Sequence, residues 1–225
     1  MDNPIYIACD NEDTILGRFF ESCYDRIREA AVNNGFDYKP ILTPELTKDV
    51  INQHTAEANE YVFAAFSHGS DTALLCGDEH YVEAGDNVKN FYSSVFYTFA
   101  CETANGIGRE FNEAYVLGYF GYNKPAWVVP YYMDVFAECA TKGLISYLEG
   151  KTLKECATDL IAEYDKHIKG ARVNPIYSNL LKNKQSLVTI MLPYILACTF
   201  FGMMVSCMVK YRENVMLLVV FVSIP

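Results

Sequence analysis

Apolar positions along this chain recur with two periods. Residues 4–9, 61–67 and 95–100 are short continuous apolar runs rich in β-branched and aromatic side chains. That pattern predicts strands buried on both faces. Residues 14–34 instead place Ile15, Leu16, Phe19, Phe20, Cys23, Ile27 and Ala31 three or four positions apart, and Asn34-Gly35 comes next. This predicts an amphipathic helix with its stop signal. Residues 41–43 suggest a short second strand. Thr43-Pro44-Glu45-Leu46 then predicts a cap, with proline at the first position of a helix reaching about residue 59. Residues 73–84 alternate around Gly77-Asp78, which predicts a β-hairpin turning at 76–79.

The second half continues the alternation. A helix is expected over 105–115 and a strand over 116–120. Amphipathic helices are expected over 132–150 and 153–168, and a closing strand over 186–190. Strands alternating with helices predict an α/β sandwich, three-layered, with a mostly parallel central sheet. The 225 residues suffice for one domain with a sizeable core. We place that domain at 1–190 and a hydrophobic C-terminal tail at 191–225.

The tail changes the picture. No charged residue lies between Leu187 and Val209, a length that suits one helical crossing of a bilayer. Lys210-Tyr211-Arg212-Glu213-Asn214 then interrupts the run. The expectation is a membrane anchor that leaves the preceding domain cytoplasmic; the alternative is that the segment packs on the domain.

The net charge of −10 disfavours a nucleic-acid partner, because phosphates need compensating Lys and Arg. Eight cysteines are scattered along strand and helix patterns, behind an N-terminus without a secretory signal. They are expected to be reduced, with Cys9, Cys23, Cys139 and Cys156 as core thiols. No CxxC pair suggests structural zinc, and neither a metal nor a cofactor is expected. Gly106-Ile107-Gly108 imitates a dinucleotide fingerprint, but Phe111 stands at the third glycine position. His54, His80 and His167 are expected to be solvated.

Candidate chemistry concentrates at two strand ends. His68 follows the run 61–67 and Cys101 follows 95–100. Neighbouring parallel strands ending this way would set an imidazole beside a thiol, at the sheet edge where α/β sites usually lie. The imidazole can take the thiol proton. Gly69 allows close approach of a backbone N–H, and with the Cys101 amide it can form an oxyanion hole. Asp10, closing the first strand, reaches the same edge as a partner for a basic substrate group, or serves as a turn residue.

Phe66-Ser67-His68-Gly69-Ser70 and Thr98-Phe99-Ala100-Cys101-Glu102 resemble the two motifs of the caspase-fold cysteine peptidases. The continuation through Gly106, Gly108, Gly118 and Gly121 is similar to the CHAT and gingipain-type branch, and the resemblance spans roughly residues 4–190. It implies a cysteine endopeptidase without a cofactor, acting on a protein or peptide substrate. Cys101 would be the nucleophile, His68 the general base and acid, Gly69 an oxyanion donor, and the intermediate a thioester. Members that cleave after Arg or Lys often carry an acidic residue two positions before the cysteine; this chain has Phe99. A catalytically silent module of the same fold, acting in assembly or signalling, is the second reading. A ligand-binding domain on a small membrane protein is the third.

Overall fold

The computed structural model describes residues 3–56, 60–171 and 174–191. In chain order these form β1 (Ile5–Cys9), α1 (Gly17–Asn33), β2 (Tyr38–Leu42), α2 (Lys48–Ala56), β3 (Tyr61–Phe66), β4 (His68–Gly69), β5 (Ala73–Cys76) and β6 (Glu79–Glu83). Next come β7 (Ser94–Phe99), α3 (Ile107–Glu113), β8 (Gly118–Tyr122), α4 (Met133–Leu148), α5 (Leu153–Gly170), α6 (Asn174–Ser186) and β9 (Leu187–Met191).

Six strands make the central sheet in the order β2-β1-β3-β7-β8-β9. All neighbours are parallel except β8 and β9. The fold is therefore mixed α/β, with helices covering a mostly parallel sheet. Every residue of β1, β3, β7 and β8 is buried, which is why their sequences are apolar without alternation. Pro40 sits in β2, an edge strand, where its missing N–H leaves no central ladder bond unmade.

Two cores flank the sheet. On one face α1 contributes Phe19, Phe20, Cys23 and Ile27 against Ile7, Val62, Tyr97 and the buried side of α4 and α5. Each such large side chain contributes roughly 1.5–3 kcal/mol through burial. On the other face Phe63, Phe96, Phe111 and Tyr119 pack together with α2, α3 and the β5–β6 hairpin.

Several local expectations shift. The first helix begins at Gly17, not Thr14, because Asp13 Oδ1 accepts the N–H groups of Ile15 and Leu16 and closes a turn there. Pro44 does not open the second helix. Thr43 instead reaches back to the end of β1, and α2 starts at Lys48 under Thr47, whose carbonyl and hydroxyl accept the Ile51 and Val50 N–H groups. The hairpin forms as expected but joins β4 in a separate three-stranded sheet. A helix over 174–186 carries no expectation from the sequence.

Strand β9 runs antiparallel to β8, from Leu187 opposite Tyr122 to Met191 opposite Gly118. The described chain thus leaves the sheet at the edge opposite the ends of β3 and β7. The tail from residue 192 lies outside the described residues, as do residues 57–59, where the sequence places the end of the second helix. Among the described residues no helix is long and apolar enough to cross a membrane.

Candidate active site

Strands β3 and β7 are hydrogen-bonded neighbours, about 4.8 Å apart as parallel strands are, and Phe66 pairs with Phe99. His68 and Cys101 each lie two residues past that pair. The two segments stay together beyond the sheet. A Cβ at Gly69 would stand 2.8 Å from Ala100 Cβ, 3.0 Å from the Cys101 carbonyl oxygen and 3.0 Å from Thr103 Cγ2. Only glycine fits so close an approach, and it sets the backbone after His68 flush against the backbone of Cys101.

Ser70 N–H donates to the Ala73 carbonyl, so residues 70 and 73 form a bonded pair of the β4–β5 ladder. The alternation of an antiparallel ladder then makes 69 and 74 a non-bonded pair, and Gly69 N–H points away from β5. Cys101 N–H has no hydrogen-bond partner among the described residues. The chain turns sharply after it: Glu102 adopts φ 60°, in the left-handed region that costs a non-glycine residue about 1 kcal/mol or more. Its N–H donates to the Lys124 carbonyl, and the Thr103 hydroxyl accepts from buried Tyr119 at 2.9 Å, which anchors this turn.

A third residue joins the imidazole. His68 Nε2 lies 3.1 Å from Asp13 Oδ2, while the Phe20 ring meets the imidazole edge-on. Burial pushes the Asp13 carboxyl up, but the Leu16 and Ile15 N–H groups and His68 outweigh it, and the group stays below its ordinary value. An ionised Asp13 can only accept, so Nε2 carries the proton and a neutral His68 keeps its lone pair on Nδ1. On that arrangement Nδ1 is the ring atom left able to accept a proton.

The thiol is presented differently. Cys101 Sγ accepts the Ala126 N–H at 3.3 Å and lies 3.8 Å from the Ala126 carbonyl oxygen. No hydrogen bond joins Sγ to His68 among the described residues. Burial pushes the Cys101 thiol up, the Ala126 amide pulls it back and Glu102 adds to the rise; the net direction is upward. Burial thus favours the protonated thiol over the thiolate at this position.

Asp10 stands at the same edge, since Cys9 pairs with Phe66. It is only 3% exposed, and its Oδ1 accepts the Thr43 hydroxyl at 3.1 Å. Cys76 Sγ lies 3.4 Å from that hydroxyl.

The four expected core cysteines, Cys9, Cys23, Cys139 and Cys156, are buried and unpaired. Of the histidines expected to be solvated, His80 is exposed beside Glu83 and His54 packs on the Tyr6 ring. His167 departs from the expectation. It sits half-buried between Glu138 and Glu163, at 2.9 and 3.0 Å, because α4 and α5 pack face to face there. These three groups have metal-ligand spacing. Arg26 and Lys166 already pair with the same two carboxylates, so the charge is balanced without an ion. A surface depression formed by Asn34, Phe36, Leu148 and Gly150 lies at the opposite end of α1 from the candidate site.

Of the residues singled out from the sequence, Gly69 lies against the Cys101 backbone, and His68 and Cys101 each follow the Phe66–Phe99 pair by two residues, without a hydrogen bond between their side chains among the described residues. Sequence reasoning missed Asp13 and Ala126. Asp13 carried only the signal of a helix-start residue, and Ala126 acts through its backbone, which no side chain announces. The chain matches no protein-family model, and no curated protein matches it.

Proposed function

We propose that this protein is a cysteine endopeptidase of the caspase-like class. The observation that carries the reading is the register of β3 and β7, whose last pair is Phe66 with Phe99, so that His68 and Cys101 each follow two residues beyond the same rung. His68, oriented by Asp13, takes the thiol proton through Nδ1. The sulfur attacks the substrate carbonyl, and the Gly69 and Cys101 amides receive the developing oxyanion. His68 then returns the proton to the leaving amine, and water hydrolyses the thioester. Asp10 as partner of a basic substrate side chain has less support, because it is buried and already accepts from Thr43.

A second reading is favoured by the resting thiol, which is bonded to Ala126 rather than to His68. On that reading the domain is a catalytically silent relative used in assembly or signalling. An electrophilic peptide probe separates the two. Labelling confined to Cys101 and lost in His68→Ala supports the enzyme. Equal labelling of several cysteines, unchanged in His68→Ala, supports the silent module.

Leu187–Met191 of the expected uncharged span form β9 in the sheet, and we further propose that the remaining uncharged stretch, residues 192–209, anchors the protein in a membrane with the domain on the cytoplasmic side. Release from membranes by salt alone would contradict it, whereas release only by detergent supports it.

A further inference from the structure

The loop that carries Ala126 is braced from two sides: Glu102 N–H and Asn105 Nδ2 donate to the Lys124 and Asn123 carbonyls, and α6 holds the part nearest Ala126. Asn183, near the end of α6, is wholly buried. Its Oδ1 accepts the Trp127 N–H at 2.8 Å and its Nδ2 donates to the Trp127 carbonyl at 2.7 Å. One side-chain amide therefore satisfies both backbone groups of one loop residue. Three residues further, the Ser186 carbonyl accepts the Asn123 N–H at 2.9 Å, and the Ser186 hydroxyl donates back to the Asn183 carbonyl. The α6–β9 junction thus holds the loop at both ends. The next backbone amide before Trp127 is that of Ala126, the donor to Cys101 Sγ.

Buried amide side chains are costly unless their donors and acceptors are met. Here they are met by loop backbone, so the loop has one favoured position rather than many. The clamp at Trp127 restrains the preceding residue as well. A chain tied at 127 cannot rotate freely at 126, and the Ala126 N–H stays aimed at the sulfur.

We propose that Asn183 is a positioning residue for Cys101: by clamping the Trp127 backbone it delivers the Ala126 N–H to the sulfur and sets the readiness of the thiol to ionise. The inference deepens the peptidase reading and rests on it for its biological meaning, but it concerns thiol chemistry that needs no peptide substrate. A hydrogen bond to a thiolate is charge-assisted. Its loss raises the ionisation midpoint, by about one pH unit for a tenfold change in the ionisation constant. The charged neighbour that also bears on the sulfur is Glu102, directly after Cys101, and Asn183 makes no hydrogen bond to it.

The test measures iodoacetamide alkylation of Cys101 against pH, site-resolved by mass spectrometry so that other cysteines do not contribute. The proteins are the full chain and its Asn183→Asp and Asn183→Ser variants. Trp127 is the sole tryptophan, so its emission reports the loop directly. The expected result is a Cys101 midpoint raised by about one unit, a roughly tenfold slower reaction near neutral pH, and a changed Trp127 emission in folded protein. A folded variant with the wild-type midpoint overturns the proposal. Should both variants fail to fold, hydrogen exchange in the unaltered protein decides: the clamp requires the Trp127 amide to be as protected as the α6 backbone, and exchange at the rate of an open loop overturns it. Shifted thiol chemistry in a protein that cuts no peptide would retain the clamp and remove the peptidase reading.

Discussion

Replacing Gly69 with alanine adds one methyl group at the tightest point of the candidate site. The new Cβ would meet Ala100 Cβ at 2.8 Å and two further atoms at 3.0 Å. Comfortable carbon–carbon contact begins at about 3.5 Å, so roughly 0.7 Å of separation must be found. Neither the Ala100 Cβ nor the Cys101 carbonyl can rotate away, since both are fixed to backbone. The cheapest response is for the strand carrying residues 68 and 69 to lift from 100–101. Overpacking of this kind costs about 1–3 kcal/mol of stability. It also moves the Gly69 amide and the imidazole relative to the sulfur, and a displacement near 1 Å costs on the order of 100-fold in rate. We expect Gly69→Ala to remain folded, with a urea midpoint lowered in proportion, and to label with a peptide electrophile roughly 10–100-fold more slowly than the unaltered protein. Wild-type labelling in a stably folded Gly69→Ala protein would refute the placement of that amide and imidazole.

Asp13→Asn removes a charge-assisted hydrogen bond worth about 1.5–3 kcal/mol, so activity or Cys101 labelling should fall by roughly 10–150-fold, read from kcat/KM or labelling rate. The Asp13 carboxyl is held below its ordinary value because the amides of Leu16 and Ile15 and the His68 ring outweigh burial. Its stabilisation is therefore present above the ordinary carboxylate range and lost as pH falls through it, and the same variant should lose less stability between about pH 5 and pH 2 in chemical denaturation. Alkylation of the native protein should modify Cys76 and Cys101 first, whereas Cys9, Cys23, Cys139 and Cys156 should react only on unfolding, since burial both shields these thiols and pushes them up. Thr152→Ala breaks the reciprocal cap in which Glu155 N–H donates to the Thr152 hydroxyl and Thr152 N–H donates to Glu155. It should cost about 1 kcal/mol, a fall of roughly 2–4 °C in Tm.

The sheet was legible because a strand covered on both faces must be apolar throughout, and residues 61–66 and 94–99 are buried along their whole length. His68, Gly69 and Cys101 were legible for the same reason, as the first chemically distinctive residues after such runs. Asp13 was not. Its role depends on the chain turning back after β1, so that one carboxylate oxygen holds the turn and the other meets an imidazole 55 positions later. Thr43-Pro44 misled by carrying a helix-start signature while the Thr43 hydroxyl was taken by Asp10. Helix α6 was invisible because its apolar face is narrow, with Ile176 and Leu180 as its buried hydrophobic residues. Asn183, buried in that helix, resembles any surface asparagine until its loop partner is placed opposite.

The central claim is that Cys101 is a nucleophile served by His68. It is tested most directly by site-resolved labelling of the full chain with an electrophilic peptide, with and without His68→Ala. The account predicts a single fast modification at Cys101 that slows at least about 100-fold in folded His68→Ala, the contribution usual for a general base. Comparable labelling of Cys76 and Cys101, at rates indifferent to His68, would contradict it.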